Sequence, residues 1–263
     1  MSQPGKDASG KEEYADPQQL WQKAKGEDGT HKQWYEGAVA YWDAQEASYD
    51  GVLGGFGFVS DSDISDSRAL LQRAMKQQLE QAAAGKRQLT VVDCGAGVGR
   101  VSEQLLLGHF STVDLLEPSR HLLDAAQKNL KAAVAGGSYP AGHALGQCLC
   151  QGLQQFEPQP GRYDCIWIQW CLLYLTDDDA IALFNRCKAG LKPDGIIMVK
   201  ENICKEGFIV DKDDNSLTRS NSYMMDLFGR AGLSVAYNIK QKNFPKNLFE
   251  VRMYVLKVPA QQQ

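Results

Sequence analysis

Val91-Val-Asp-Cys-Gly-Ala-Gly-Val-Gly-Arg100 is the stretch from which the fold is read. Residues 88–93 predict a short apolar strand, and residues 98–107 repeat hydrophobics at helical period. A strand that passes through a glycine turn into a helix gathers free backbone N–H groups at one spot. Without a Cβ, the turn also lets the backbone pass close to a bound nucleoside. The dinucleotide fingerprint spaces its glycines as G-x-G-x-x-G, whereas here they fall at Gly95, Gly97 and Gly99, with Arg100 where the last would stand. That spacing weakens an NAD reading. Glu117 ends the next strand, where a carboxylate accepts hydrogen bonds from ribose hydroxyls and repels a 2′-phosphate. Taken alone, Glu117 reads equally well as a surface carboxylate at a strand end.

Outward from this unit the chain alternates. Strands are predicted at 113–117, 148–150, 163–169 and 195–200, with helices at 122–133 and 178–191 between them. Strand and helix in alternation mean an α/β fold with a parallel sheet covered on both faces. Residues 234–239 and 249–258 are strand-like with only Asn243-Phe-Pro-Lys-Asn247 between them, which predicts a C-terminal antiparallel hairpin. Upstream, a helix is predicted from about Ser62 to a stop at Gly85, and Asp50-Gly-Val-Leu-Gly-Gly-Phe-Gly-Phe58 reads as a loop. Trp34, Tyr35, Tyr41 and Trp42 are spaced so that several share a face of an earlier helix. The expected organisation is a flexible N-terminal arm over 1–30, a helical extension with a Gly-rich substrate loop over 31–87, and a core over 88–260.

Composition narrows the function classes. With 263 residues, 43% hydrophobic and 23% charged, the chain suits one large core. Lysine and arginine number 28 against 32 acidic residues, so the surface is not built to hold phosphate backbones and no nucleic-acid partner is expected. No apolar run approaches the ~20 residues of a spanning helix, and the first residues lack the basic and apolar regions of a secretory signal. Neither membrane insertion nor export is expected. The expected location is the cytoplasm, with nuclear entry open, and a monomer is compatible with the sequence. Seven cysteines without a C-x-x-C pair read as reduced, and four scattered histidines offer no ligand spacing, so no metal is predicted.

The Asp-x-Gly-x-Gly-x-Gly loop with its downstream acidic strand end resembles the Rossmann-like S-adenosylmethionine-dependent methyltransferases, whose mostly parallel seven-stranded sheet closes with a C-terminal hairpin. More narrowly, residues 41–257 are similar to the protein N-terminal α-amine methyltransferases that act on Xaa-Pro-Lys termini. The resemblance is carried by Leu53-Gly-Gly-Phe-Gly57, Asp93-Cys-Gly-Ala-Gly-Val-Gly-Arg100, Ile166-Trp-Ile-Gln-Trp170, Leu175-Thr-Asp177 and Gly195-Ile-Ile-Met-Val-Lys-Glu-Asn202. It implies S-adenosylmethionine as cofactor, S-adenosylhomocysteine as product, and, as partners, protein N-termini of Xaa-Pro-Lys or Xaa-Pro-Arg type once the initiator Met is removed.

The resemblance also implies roles for residues. Gly95 and Arg100 are expected at the methionine part of the cofactor, Glu117 and Ser119 at the ribose, Leu153 and Gln154 around the adenine, and Gly97 and Gln169 in contact with the cofactor. On the substrate side, Asp214 is expected to receive the amine proton, with Asn202 bonding the first peptide unit. Tyr174 stands near Asp214 where many relatives carry histidine, either orienting the amine or passing its proton through water. Its ordinary pKa of ~10 makes it a poor base. Trp170 is the expected wall for a proline ring, with Trp42 and Phe56 closing the pocket, because a flat apolar ring lies against an aromatic face. Asp211 with Ser216 is expected to meet a basic third residue. Phe249 stands where relatives carry tyrosine. Two other readings stay open: methylation of a small amine or metabolite, and a binding module without catalysis.

Overall fold

A computed structural model describes residues 3–259. Its strands in chain order are Gly5–Asp7 (β1), Glu13–Tyr14 (β2), Thr90–Cys94 (β3), Thr112–Leu116 (β4), Ala144–Leu149 (β5) and Tyr163–Gln169 (β6). Leu191–Ile203 (β7), Phe208–Asp211 (β8), Ser216–Arg219 (β9), Ser234–Lys240 (β10) and Glu250–Lys257 (β11) follow. The first helices are Pro17–Ala24 (α1), Lys32–Asp43 (α2), Tyr49–Val52 (α3), Ser60–Ala74 (α4) and Lys76–Ala83 (α5). The core adds Arg100–Gln104 (α6), Arg120–Ala135 (α7), Asp177–Gly190 (α8) and Asn221–Arg230 (α9).

Seven strands form one sheet in the order β10-β11-β7-β6-β3-β4-β5. The run from β7 to β5 is parallel, and β11 is antiparallel to both β7 and β10. This is the expected Rossmann-like α/β architecture with its terminal hairpin. Every residue of β6 is buried, as a central strand covered on both faces requires. Its side chains alternate between two cores: Ile166 and Ile168 pack with Leu183, Phe184 and Phe228, while Cys165 and Trp167 pack with Val91, Val113 and Leu123. Helix starts follow capping chemistry, with Ser119, Thr176 and Ser220 each accepting a backbone N–H at the head of α7, α8 and α9.

The N-terminal segment departs from expectation. In place of a flexible arm, β1 pairs with β2 and, in parallel, with β8, completing a second sheet of order β2-β1-β8-β9. Asp16 caps α1 through the N–H of Gln19 at 3.0 Å, and Tyr14, Leu20 and Trp21 are buried with Trp34, Phe208, Val210 and Leu217 in a third core. Burial of large side chains, ~1.5–3 kcal/mol each, offsets the ordering entropy of a polar segment, and three sparse positions show no period that sequence reading detects. Met1 and Ser2 of the expected arm and Ala260 of the expected core lie outside the described residues. The single helix expected over 62–85 is two, α4 and α5, meeting at buried Met75. Among the described residues, no helix is long and apolar enough to cross a membrane.

Candidate functional site

Above the C-terminal ends of β3, β4, β6 and β7 lies a cavity of about 480 Å³. It is roofed by α2, the 52–59 segment and the β8–β9 hairpin, and it falls in the ~300–1,000 Å³ range of small-ligand sites. Of the sequence-predicted residues, Gly95, Gly97, Arg100, Glu117, Leu153, Gln154, Gln169, Trp42, Phe56, Trp170, Tyr174, Asn202, Asp211, Asp214 and Ser216 line it together.

At one end the chain leaves β3 through Gly95 (φ 68°) and Gly97 (φ 54°), conformations that side chains other than glycine rarely adopt. A Cβ on Gly95 would lie 2.5 Å from that of Cys171, so the turn also needs the space. Glu117, almost fully buried, accepts the N–H of Gly97 and that of Ser119, both at 2.9 Å. Burial pushes its carboxyl up to about 7, although the two backbone donors pull the other way. Asp93, also on the lining, is pushed up to about 6 by burial while Ser102 donates to it at 2.7 Å.

Ser119, expected at the ribose, is placed behind the lining. It is fully buried, its hydroxyl donates to Asp43 at 2.5 Å and accepts from Leu122 N–H at 3.2 Å, and it does not join the lining. A serine at a helix start is taken by capping. What it contributes is the backbone N–H that steadies Glu117.

Behind Arg100 stands a buried network with no forerunner in the sequence reading. Asp63 on α4 accepts from Arg100 Nη2 at 2.8 Å and from Gln169 Nε2 at 2.9 and 3.0 Å, and is ion-paired to Lys200. Burial alone would raise its carboxyl, but the Lys200 ammonium and Arg100 guanidinium outweigh that and hold it below its ordinary value. Two cations share this one carboxylate. Ser60 accepts from Arg100 at 3.1 Å, and the guanidinium lies 5.6 Å from the Trp170 ring centroid.

At the other end, Trp42 Nε1 donates to the Tyr174 hydroxyl at 2.8 Å, and that hydroxyl donates to Asp214 Oδ2 at 3.3 Å. Burial, then the Asp214 charge, pushes the Tyr174 phenol well above its ordinary value, so it keeps its proton and acts as a donor. Asp214 is half-buried as a residue, and its Oδ1 is itself buried. Burial raises its carboxyl, with Asp211 adding to the rise and the Ser216 and Tyr174 hydroxyls opposing it. The turn carrying Asp214 docks on α2, where Asn215 Nδ2 donates to Trp34 O at 3.0 Å over Gly37, at which a Cβ would clash. Trp170 has φ 53°, unusual outside glycine, and its buried Nε1 has no partner among the described residues. Phe244, Leu248 and Phe249 complete this end from the 241–249 loop, which sequence reading left without a role except for the Phe249 departure.

The family model described as AdoMet dependent proline di-methyltransferase matches residues 30–257. Alpha N-terminal protein methyltransferase 1 of Arabidopsis thaliana is 45% identical over 97% of this chain and 91% of its own length. N-terminal Xaa-Pro-Lys N-methyltransferase 1 of Danio rerio is 39% identical over 85% of this chain and 95% of its own. A solved SAM-dependent methyltransferase from Leishmania major superposes with TM-score 0.82 at 34% identity, covering 98% of this chain and 97% of that one.

Proposed function

This chain belongs to the AdoMet-dependent proline di-methyltransferase family, and from that premise we propose that it methylates the α-amino group of protein N-termini beginning Xaa-Pro-Lys or Xaa-Pro-Arg. The observation that carries the reading is the single cavity that joins Gly95 and Glu117 at one end to Asp214 and Asn202 at the other.

The lining fits S-adenosylmethionine. Glu117 keeps lone pairs for ribose hydroxyls beyond its two backbone bonds, and Leu153 and Gln154 flank the adenine end. Arg100 with the Asp63 network carries two cations on one carboxylate, which an amino-acid carboxylate balances, while Asp93 offers an acceptor to an ammonium. When bound, that cofactor supplies a methyl group on a sulfonium, open to in-line attack.

The protein's own work is positioning and proton removal. An α-amine of pKa ~8 is mostly protonated at neutral pH and must lose a proton to present its lone pair. Asp214 is the acceptor, and Tyr174 with Trp42 fixes its Oδ2 in place. Asn202 bonds the first peptide unit, the proline ring lies against Trp170 between Trp42 and Phe56, and Asp211 with Ser216 meets the third residue. Much of the rate comes from holding nitrogen near the methyl group in line.

The test uses an Xaa-Pro-Lys peptide and its N-acetylated copy with the cofactor. Mass gain on the free peptide alone, located at the α-nitrogen, is expected; gain on the blocked peptide overturns the reading. Cofactor-side chemistry is tested separately by Glu117→Ala, which removes the ribose acceptor, a loss of about 1.5–3 kcal/mol in total because a carboxyl pushed up to about 7 is only partly ionised at neutral pH. Calorimetry with S-adenosylhomocysteine should show affinity lower by about 10- to 100-fold, and unchanged affinity rules out the ribose contact.

A further inference from the structure

The strap formed by β1, β2 and α1 precedes residue 30, where the family model begins. It nevertheless reaches the peptide end of the cavity. Ala8 lines the cavity beside Ile209 and Asp211, and its N–H donates to Val210 O at 2.7 Å, extending the pairing of β1 with β8. Lys212 is the one cation of the run Asp211-Lys-Asp-Asp214. Its ammonium is ion-paired to Glu12 and lies 3.9 Å from Asp7, both on the strap. Glu12 is fixed in turn, with its other oxygen 2.5 Å from Lys23 Nζ and its backbone N–H on Asp7 at 3.1 Å. Ser9 and the Lys11 N–H hold Asp7 at 2.8 Å.

A lysine has a long flexible stem, and without Glu12 the Lys212 ammonium is free to settle on the neighbouring Asp211 or Asp213. That would neutralise the acidic mouth and set a like charge against an incoming lysine or arginine. We propose that Glu12 is a specificity-determining residue, which draws Lys212 away from the mouth and so leaves Asp211 available to the cationic third residue of the peptide. The inference rests on the peptide reading of the site given above. It assigns the strap a part in substrate selection that the residues of the family core do not supply.

The full-length enzyme is assayed with an Xaa-Pro-Lys peptide and with the same peptide carrying glutamine third. Glu12→Gln is expected to raise KM for the lysine peptide by about three- to fivefold, the scale of a partly exposed ion pair, and to leave KM for the glutamine peptide in place. Adding Lys212→Met to that variant is expected to restore the lysine-peptide KM, which a merely structural role for Glu12 does not predict. Equal shifts on both peptides, no shift, or no restoration overturns the proposal. A wild-type enzyme inactive on the lysine peptide overturns the functional reading itself, so the two failures are distinguishable.

Discussion

Asp214→Asn is expected to lower kcat on an Xaa-Pro-Lys peptide by about 10²- to 10⁴-fold, the usual contribution of a positioned proton acceptor, while leaving S-adenosylhomocysteine affinity unchanged. The asparagine preserves the bond from Tyr174 but cannot take the amine proton. The pH profile gives an independent check. Asp214 accepts only when ionised, and burial raises its carboxyl, so wild-type kcat/KM falls as pH drops through that raised value. Deprotonation of the amine near pH ~8 acts in the same direction, so activity rises with pH on both counts. In the variant, the limb due to Asp214 should vanish while the limb due to the amine remains. Retention of more than about a tenth of the wild-type kcat at neutral pH excludes Asp214 as the acceptor.

The largest stability effect is expected at Asp63→Ala. Its carboxylate, fully buried, is shared by Lys200, Arg100 and Gln169, and its loss strands two buried cations. Breaking a buried pair in this way costs about 3–5 kcal/mol, which for a chain of this size lowers Tm by roughly 6–20 °C in calorimetry. Replacing Lys200 by Met in the same variant should recover part of the loss, because one stranded charge is then removed. A drop below about 1 kcal/mol for the single variant means that the network is not what anchors α4 to the sheet.

Not all of the site was equally open to sequence reading. Gly95, Gly97 and Glu117 are legible in the sequence as candidates because strand, glycine turn, helix and next strand follow in a fixed local order, and in the structure they line one cavity. Asp63 is not legible in the sequence: in Ser-Asp-Ser-Asp it reads as an ordinary acidic helix start, and only packing brings Lys200, from a distant strand, onto it. Ser119 reads in sequence as a hydroxyl beside a strand-end carboxylate and equally as a helix cap, and in the structure its hydroxyl caps α7. The sequence places Tyr174 near Asp214 only by resemblance, whereas the bonds from Trp42 to Tyr174 and from Tyr174 onward follow from the docking of α2 over the sheet.

By itself the sequence determined the alternation of strand and helix, the glycine turn, the terminal hairpin and the residue types that the chemistry needs, because each of these is written in local period and composition. The tertiary structure alone decided that residues 5–24 fold onto β8, that Asp63 serves two cations, and that Lys212 faces Glu12 and not the cavity. Those outcomes depend on burial and on ion pairs between residues far apart in the chain, whose energies are set by distance and surroundings in space and leave no trace in local order.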